Sequence, residues 1–161
     1  MGAAALASLA ALRAGAGLVT AIFPAGLTSQ ARFPLEVMTL RLGDGESADW
    51  HPAQLDQVND FFANVDALVI GPGMGSSEGA AGFLAGLLAL DDLPSLLVDA
   101  DGLNLLAQSP ELLSDEVEAV LTPHPGEAAR LLGFGGGGGA QIQADRPAAA
   151  RGLAEKFDTT I

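Results

Sequence analysis

Three polar loops each follow directly on a short apolar run. Gly71-Pro72-Gly73-Met74-Gly75 comes after Ala67 to Ile70, Asp99-Ala100-Asp101-Gly102-Leu103-Asn104 after Leu96 to Val98, and Thr122-Pro123-His124-Pro125-Gly126-Glu127 after Ala119 to Leu121. Runs of Val, Leu, Ile and Ala this short read as buried strands of a parallel sheet. The stretches between them are long enough for helices, so the chain reads as β-α-β-α and its class as α/β, a mainly parallel, doubly wound sheet with helices on both faces. Ligands of such sheets bind beyond the carboxyl ends of the strands. The three loops are therefore expected at one edge, as the rim of a site.

With 161 residues and 49% of them hydrophobic, the chain is sized for one well-buried core. A formal charge of −13 opposes binding to phosphate backbones or anionic lipid, so neither nucleic acid nor a membrane is an expected partner. There is no cysteine, which rules out disulfides and thiolate chemistry and fits a cytoplasmic setting. The Ala- and Leu-rich stretch from Gly2 to Gly17 lacks a basic residue ahead of it, and Arg13 interrupts it. It reads as a buried helix, not as a signal peptide or a membrane span.

Residues 3–14 are expected to be helical, with strands at 18–23 and 35–41, an acidic surface loop over 43–49 and a helix opened by Pro52. A helix over 77–90 would be capped by Ser76 or Ser77. Further helices are expected over 101–108, 126–132 and 145–157. The glycine run 135–139 reads as a flexible loop, and residues 158–161 as the start of another strand, which suggests that the sheet continues past Ile161.

Each loop has a chemical and a structural reading. Gly71, Gly73 and Gly75 allow close approach to a phosphate or a ring, or simply make a tight turn; their spacing is not the dinucleotide fingerprint. Asp99 and Asp101, with Asn104, are suited to orienting a hydroxyl or a hydrated Mg²⁺, whereas Asp101 alone would be a common helix cap. His124 lies between two prolines that restrict the backbone, with Glu127 three residues on, and is the leading single site residue. His51, beside Trp50, carries no such signal. The two histidines give no metal-ligand spacing, and no metal-ligand set is assigned.

Taken in order, Gly2-Ala3-Ala4, the segment Ala11 to Val19, the Gly71 to Gly75 loop, the Asp99 to Asn104 loop and Thr122 to Gly133, extended by Gln143 to Arg146 and Ala148 to Lys156, resemble the NAD(P)H-hydrate dehydratases. The resemblance covers nearly the whole chain. It implies a ribokinase-like fold and a repair enzyme that uses ADP or ATP, with Mg²⁺, to phosphorylate the hydroxyl of the S epimer of hydrated NADH or NADPH. Phosphate then leaves and NADH or NADPH is regenerated. By matched position it implies contacts to the hydrated nicotinamide from Ala3, Gly75 and His124. Glu127 matches an acidic position used near Mg²⁺ and phosphate in related kinases. Gly71, Gly73, Asp99, Asp101 and Asn104 remain secondary candidates.

The family pattern also has a strand and a glycine loop before the position of Gly2. Beyond Ile161 it has a Lys-Gly-rich nucleotide loop and a Gly-Thr-Gly-Asp type motif that supplies the catalytic Asp. The expectation is therefore a single, partial dehydratase domain over 1–161, incomplete at both ends, with no catalytic residue inside it and no activity alone. Expected partners are an NAD(P)H-hydrate epimerase, fused or separate, and further copies in a homo-oligomer. Two other readings stand beside this one. A vitamin-precursor kinase of the same fold would typically carry Asn where this chain has His124, and a truncated domain would bind ligand without catalysis.

Overall fold

The computed structural model describes residues 2–114, 117–135 and 138–161. Its elements alternate as the apolar runs require. Helix α1 (Gly2–Ala14) leads to β1 (Thr20–Pro24) and β2 (Met38–Leu42), followed by a 3-10 turn at Pro52–Gln57 and the short α2 (Asn59–Phe62). Then come β3 (Ala67–Ile70), α3 (Glu78–Leu88), β4 (Ser95–Val98), α4 (Asp101–Gln108), β5 (Ala119–Leu121), α5 (Pro125–Leu131), α6 (Gly138–Ala144) and α7 (Arg146–Phe157).

Every strand pair is parallel. β1 pairs with β2, and β3, β4 and β5 form a second sheet in sequence order, extended by a bridge from Val120 to Thr160. The α/β class and the strand beginning near Asp158 both follow the sequence reading. The register sets Ile70, Val98 and Leu121 side by side, so three strands end in line. Leu68, Leu96 and Ala119 share their face and help form the core with Phe83, Leu84, Leu87, Leu103 and Leu106. Truncating leucines buried in this way typically costs about 2–5 kcal/mol each.

The opposite face carries Val69, Leu97 and Val120 in register. Val69 is 49% and Val120 38% exposed, so among the described residues no helix closes this side of the β3-β4-β5 sheet, where the sequence reading expected helices on both faces. Topology explains this. The chain steps from β3 to β4 to β5 to Thr160 in one direction, and right-handed crossovers in one direction put their helices on one face.

Three local readings need correction. α1 forms, but Ser8 is its one buried residue, because small Ala side chains offer little area to bury and the helix packs mainly against β1. Leu18 and Leu35 lie outside the strands and are exposed. The glycine run is not a loop throughout: Gly138 and Gly139 open α6, and residues 136–137 lie outside the described residues. A Cβ at Gly138 would sit 2.7 Å from Phe134 Cβ and 3.0 Å from Ala129 Cβ, so the missing side chain is what lets α6 approach α5. No helix among the described residues is long and apolar enough to cross a membrane.

Candidate functional site

The loops after β3, β4 and β5 leave strands of one direction at one edge, as expected for a site rim. The first two are in close backbone contact. Asp99 N–H donates to Ile70 O at 3.0 Å, and Gly71 has φ +114°. A Cβ on Gly71 would stand 1.9 Å from Asp99 O and 2.7 Å from Gly102 N, a collision no rotamer relieves. Gly71 is thus required by its neighbours. Gly73 (φ +73°) and Gly75 (φ +82°) also occupy the left-handed region, and the space beside Gly75 is open.

Asp101 is the first residue of α4, and it does not cap it. The N-cap position belongs to Ala100, held at φ +49° and ψ −119° with no side-chain cap bond. Asp101 Oδ2 instead accepts the Gly75 N–H at 2.8 Å and ties the glycine loop to the acidic loop. One helical turn on, Asn104 Oδ1 accepts from Arg130 Nε at 2.9 Å and links α4 to α5. Asp99 is half-buried, and no hydrogen bond to its carboxylate is seen among the described residues.

His124 is the N-cap of α5. Its Nδ1 accepts from Gly126 N at 2.9 Å and Glu127 N at 3.4 Å, while Glu127 Oε2 accepts from His124 N at 2.8 Å. This is a capping box with imidazole in the place usually held by a hydroxyl or carboxylate. An Nδ1 that accepts two N–H groups leaves the ring proton on Nε2, which lies 3.2 Å from Glu127 Oε1. The side chain of His124 is 62% exposed and that of Glu127 6%, so the buried carboxylate braces an accessible ring. His51 makes the same kind of capping box with Gln54, which gives it a structural role in its own loop.

Ala3 is exposed in the first turn of α1, and no hydrogen bond among the described residues joins it to the three loops. The bonds above link Gly75 with Asp101, Asn104 with Arg130, and His124 with Glu127; Ala3 stands apart from all three pairs. The described residues hold no group of three or more His, Asp or Glu side chains placed to bind a metal ion. Asp101 and Asn104 are also engaged with Gly75 and Arg130. Of the Asp99, Asp101 and Asn104 set, Asp101 Oδ2 and Asn104 Oδ1 are thus already used within the protein, and no chemical step is routed through a Mg²⁺ ion there.

Sequence reading missed Arg130, since one arginine in a helix reads as a solvated charge. The available signal was its place six residues after His124 in a chain with only 7 basic against 20 acidic residues.

The NAD(P)H-hydrate dehydratase family model matches residues 1–161, the whole chain. The chain belongs to that family. It is 40% identical over 162 residues to the bifunctional NAD(P)H-hydrate repair enzyme of Moorella thermoacetica, covering 99% of this chain and 30% of that protein. To the ADP-dependent (S)-NAD(P)H-hydrate dehydratase of Lactiplantibacillus plantarum it is 39% identical over 136 residues, 83% of this chain and 45% of that one. The chain thus spans less than half the length of these two relatives. Its fold is that of a ribokinase-like superfamily protein from Enterococcus faecalis, with a TM-score of 0.70 at 22% identity, over 98% of this chain and 51% of that one. Family membership and fold agree with the three-loop edge.

Proposed function

We propose that these residues form the substrate-side part of an NAD(P)H-hydrate dehydratase, an enzyme that restores NADH or NADPH from the S epimer of the hydrated cofactor at the expense of ADP or ATP. One observation carries the reading: within a chain matched by the family over its full length, the glycine, acidic and histidine loops leave three aligned parallel strands at one edge. The name of the Lactiplantibacillus plantarum relative supports ADP as the nucleotide and the S epimer as the substrate.

In this reading Gly75 and His124 flank the hydrated nicotinamide ring, with Ala3 as a further contact. Gly75 offers backbone without side-chain bulk, and the His124 cap geometry presents an exposed ring whose Nε2 carries a proton. Glu127 braces that ring, Gly71 and Gly73 shape the loop, and Asp99 adds a half-buried carboxylate in the loop after β4. Phosphorylation turns a poor leaving group, hydroxide, into a good one, phosphate, so elimination is driven by the nucleotide. We further propose that residues 1–161 are part of one domain, that the protein works in the cytoplasm as a homo-oligomer, and that an NAD(P)H-hydrate epimerase, fused or separate, supplies the S epimer.

Product analysis on the full-length protein tests the reading. Hydrated NADH with ADP should yield free phosphate and the absorbance of reduced nicotinamide. A stable phosphorylated small molecule would instead identify a kinase of the same fold.

A further inference from the structure

A cleft of about 440 Å³ opens beside the three-loop edge, lined by Ser76, Asp101, Asn104, Gln108, Arg130 and Phe134 among others. Its floor is the polar face of α4, because Asp101, Asn104 and Gln108 recur at helical spacing while Leu103, Leu105 and Leu106 point into the core. Ser76 continues the glycine loop on one side. Arg130, in the last turn of α5, and Phe134 beyond it form the other.

The wall around Arg130 is built to hold a cation without neutralising it. Its Nε is fixed by the neutral Asn104 Oδ1, and it has no carboxylate within salt-bridge distance among the described residues. The carboxylate that shares the cleft, Asp101, accepts the Gly75 N–H through Oδ2. With Nε occupied, the guanidinium still has its Nη groups, and its Nη1 lies 3.8 Å from where a Gly126 Cβ would stand, close to the His124 cap. The Ser76 hydroxyl and the Asn104 side-chain amide have no partner among the described residues, so they are further donors.

Phe134 is placed as firmly. Gly133 N–H donates to Arg130 O at 2.9 Å and Phe134 N–H to Ala129 O at 2.8 Å, with Gly133 at φ +75°, which makes a Schellman close to α5. That close leaves Phe134 39% exposed, with Gly138 packed beside its Cβ. A fixed guanidinium and a fixed aromatic ring in one cleft match a phosphate joined to a flat base.

We propose that this cleft binds the diphosphate-linked nucleoside arm of a ligand, with Arg130 on the phosphates and Phe134 against the base. The inference rests on the dehydratase reading for which ligand enters. Two sources share this chemistry: the far half of the hydrated dinucleotide, and the nucleotide co-substrate.

The test measures dissociation constants by calorimetry on the full-length protein and its Arg130→Ala, Arg130→Lys and Phe134→Ala variants. The probes are inorganic pyrophosphate, ADP-ribose, ADP and hydrated NADH. Arg130→Ala should weaken pyrophosphate and ADP-ribose at least tenfold, with Arg130→Lys restoring part of the loss; Phe134→Ala should weaken ADP-ribose and spare pyrophosphate. A matching loss for hydrated NADH alone assigns the cleft to the substrate's own arm, and one for ADP alone assigns it to the co-substrate. Pyrophosphate and ADP-ribose bound equally by wild type and folded Arg130→Ala, or by neither, would overturn the proposal. If hydrated NADH is not dehydrated while ADP-ribose binding still depends on Arg130, the dehydratase reading fails and the cleft stands.

Discussion

The Gly75 N–H reaches 2.8 Å to Asp101 Oδ2, across 26 positions of sequence, and by that bond the first residue of α4 fixes the loop that follows β3. The Asn104 to Arg130 bond repeats the arrangement one strand further along. The rim is therefore held side chain to neighbour from β3 to β5. Asp101 matters through this restraint: it holds Gly75 in place, where the proposed substrate would meet it.

Asp101→Ala should loosen the glycine loop with a modest loss of global stability, about 1 kcal/mol, because a half-exposed charge-assisted bond is partly replaced by water. Asp101→Asn keeps an acceptor oxygen and should fall between wild type and Ala. Amide exchange at Gly75 reads the effect directly. Unchanged protection of Gly75 in Asp101→Ala would show that the bond does not restrain the loop.

Two glycines of one loop should respond differently to the same methyl group. Gly71→Ala drives a Cβ into the Asp99 carbonyl and should lose several kcal/mol or fail to fold. At Gly75 nothing lies within 4 Å, so Gly75→Ala meets only the strain of φ +82°, about 1 kcal/mol. Its thermal midpoint should stay near wild type while hydrated-cofactor binding weakens. Equal destabilisation by both substitutions would contradict this account of the Asp99 approach.

His124 has a structural and a proposed chemical role, and two variants separate them. His124→Ala removes the α5 cap and should lower stability by about 1 kcal/mol as well as substrate affinity. His124→Asn keeps a capping oxygen and loses the imidazole, so it should hold its melting temperature and still bind hydrated NADH poorly. A His124→Asn protein with wild-type affinity and turnover would leave His124 only its capping role.

Most of the fold was legible because short apolar runs bounded by Gly, Pro and Asp admit few readings; β3, α4 and β5 lie where those runs predict. The failures share a cause. Leu35 and Leu18 look like strand residues, but pairing decides, and β2 begins only at Met38, which lies opposite Thr20. Gly138 and Gly139 look incapable of helix, yet contact with Ala129 and Phe134 overrides their poor propensity. At the site, the sequence showed Glu127 three residues after His124, but the capping box the two make became evident only in the structure, because imidazole is not the usual capping group. The Asp101 to Gly75 and Asn104 to Arg130 bonds span residues too distant for any local pattern to reveal.

A polypeptide made of these 161 residues alone should not regenerate NADH from its hydrate. The 136 residues that match cover 45% of the Lactiplantibacillus plantarum dehydratase, and by the family resemblance the nucleotide loop and the catalytic Asp are expected outside these residues. Phosphoryl transfer depends on holding the donor in line and stabilising charge on the moving group. Among the described residues no group of three or more His, Asp or Glu side chains is placed to bind a metal ion that would stabilise that charge. Ligand binding should be easier to retain than turnover, because Gly75, His124 and the α4 cleft lie within these residues. The purified polypeptide, incubated with hydrated NADH, ADP and Mg²⁺, should show no rise in reduced-nicotinamide absorbance, whereas calorimetry should detect weak binding of ADP-ribose. Sustained turnover would place the catalytic machinery within residues 1–161.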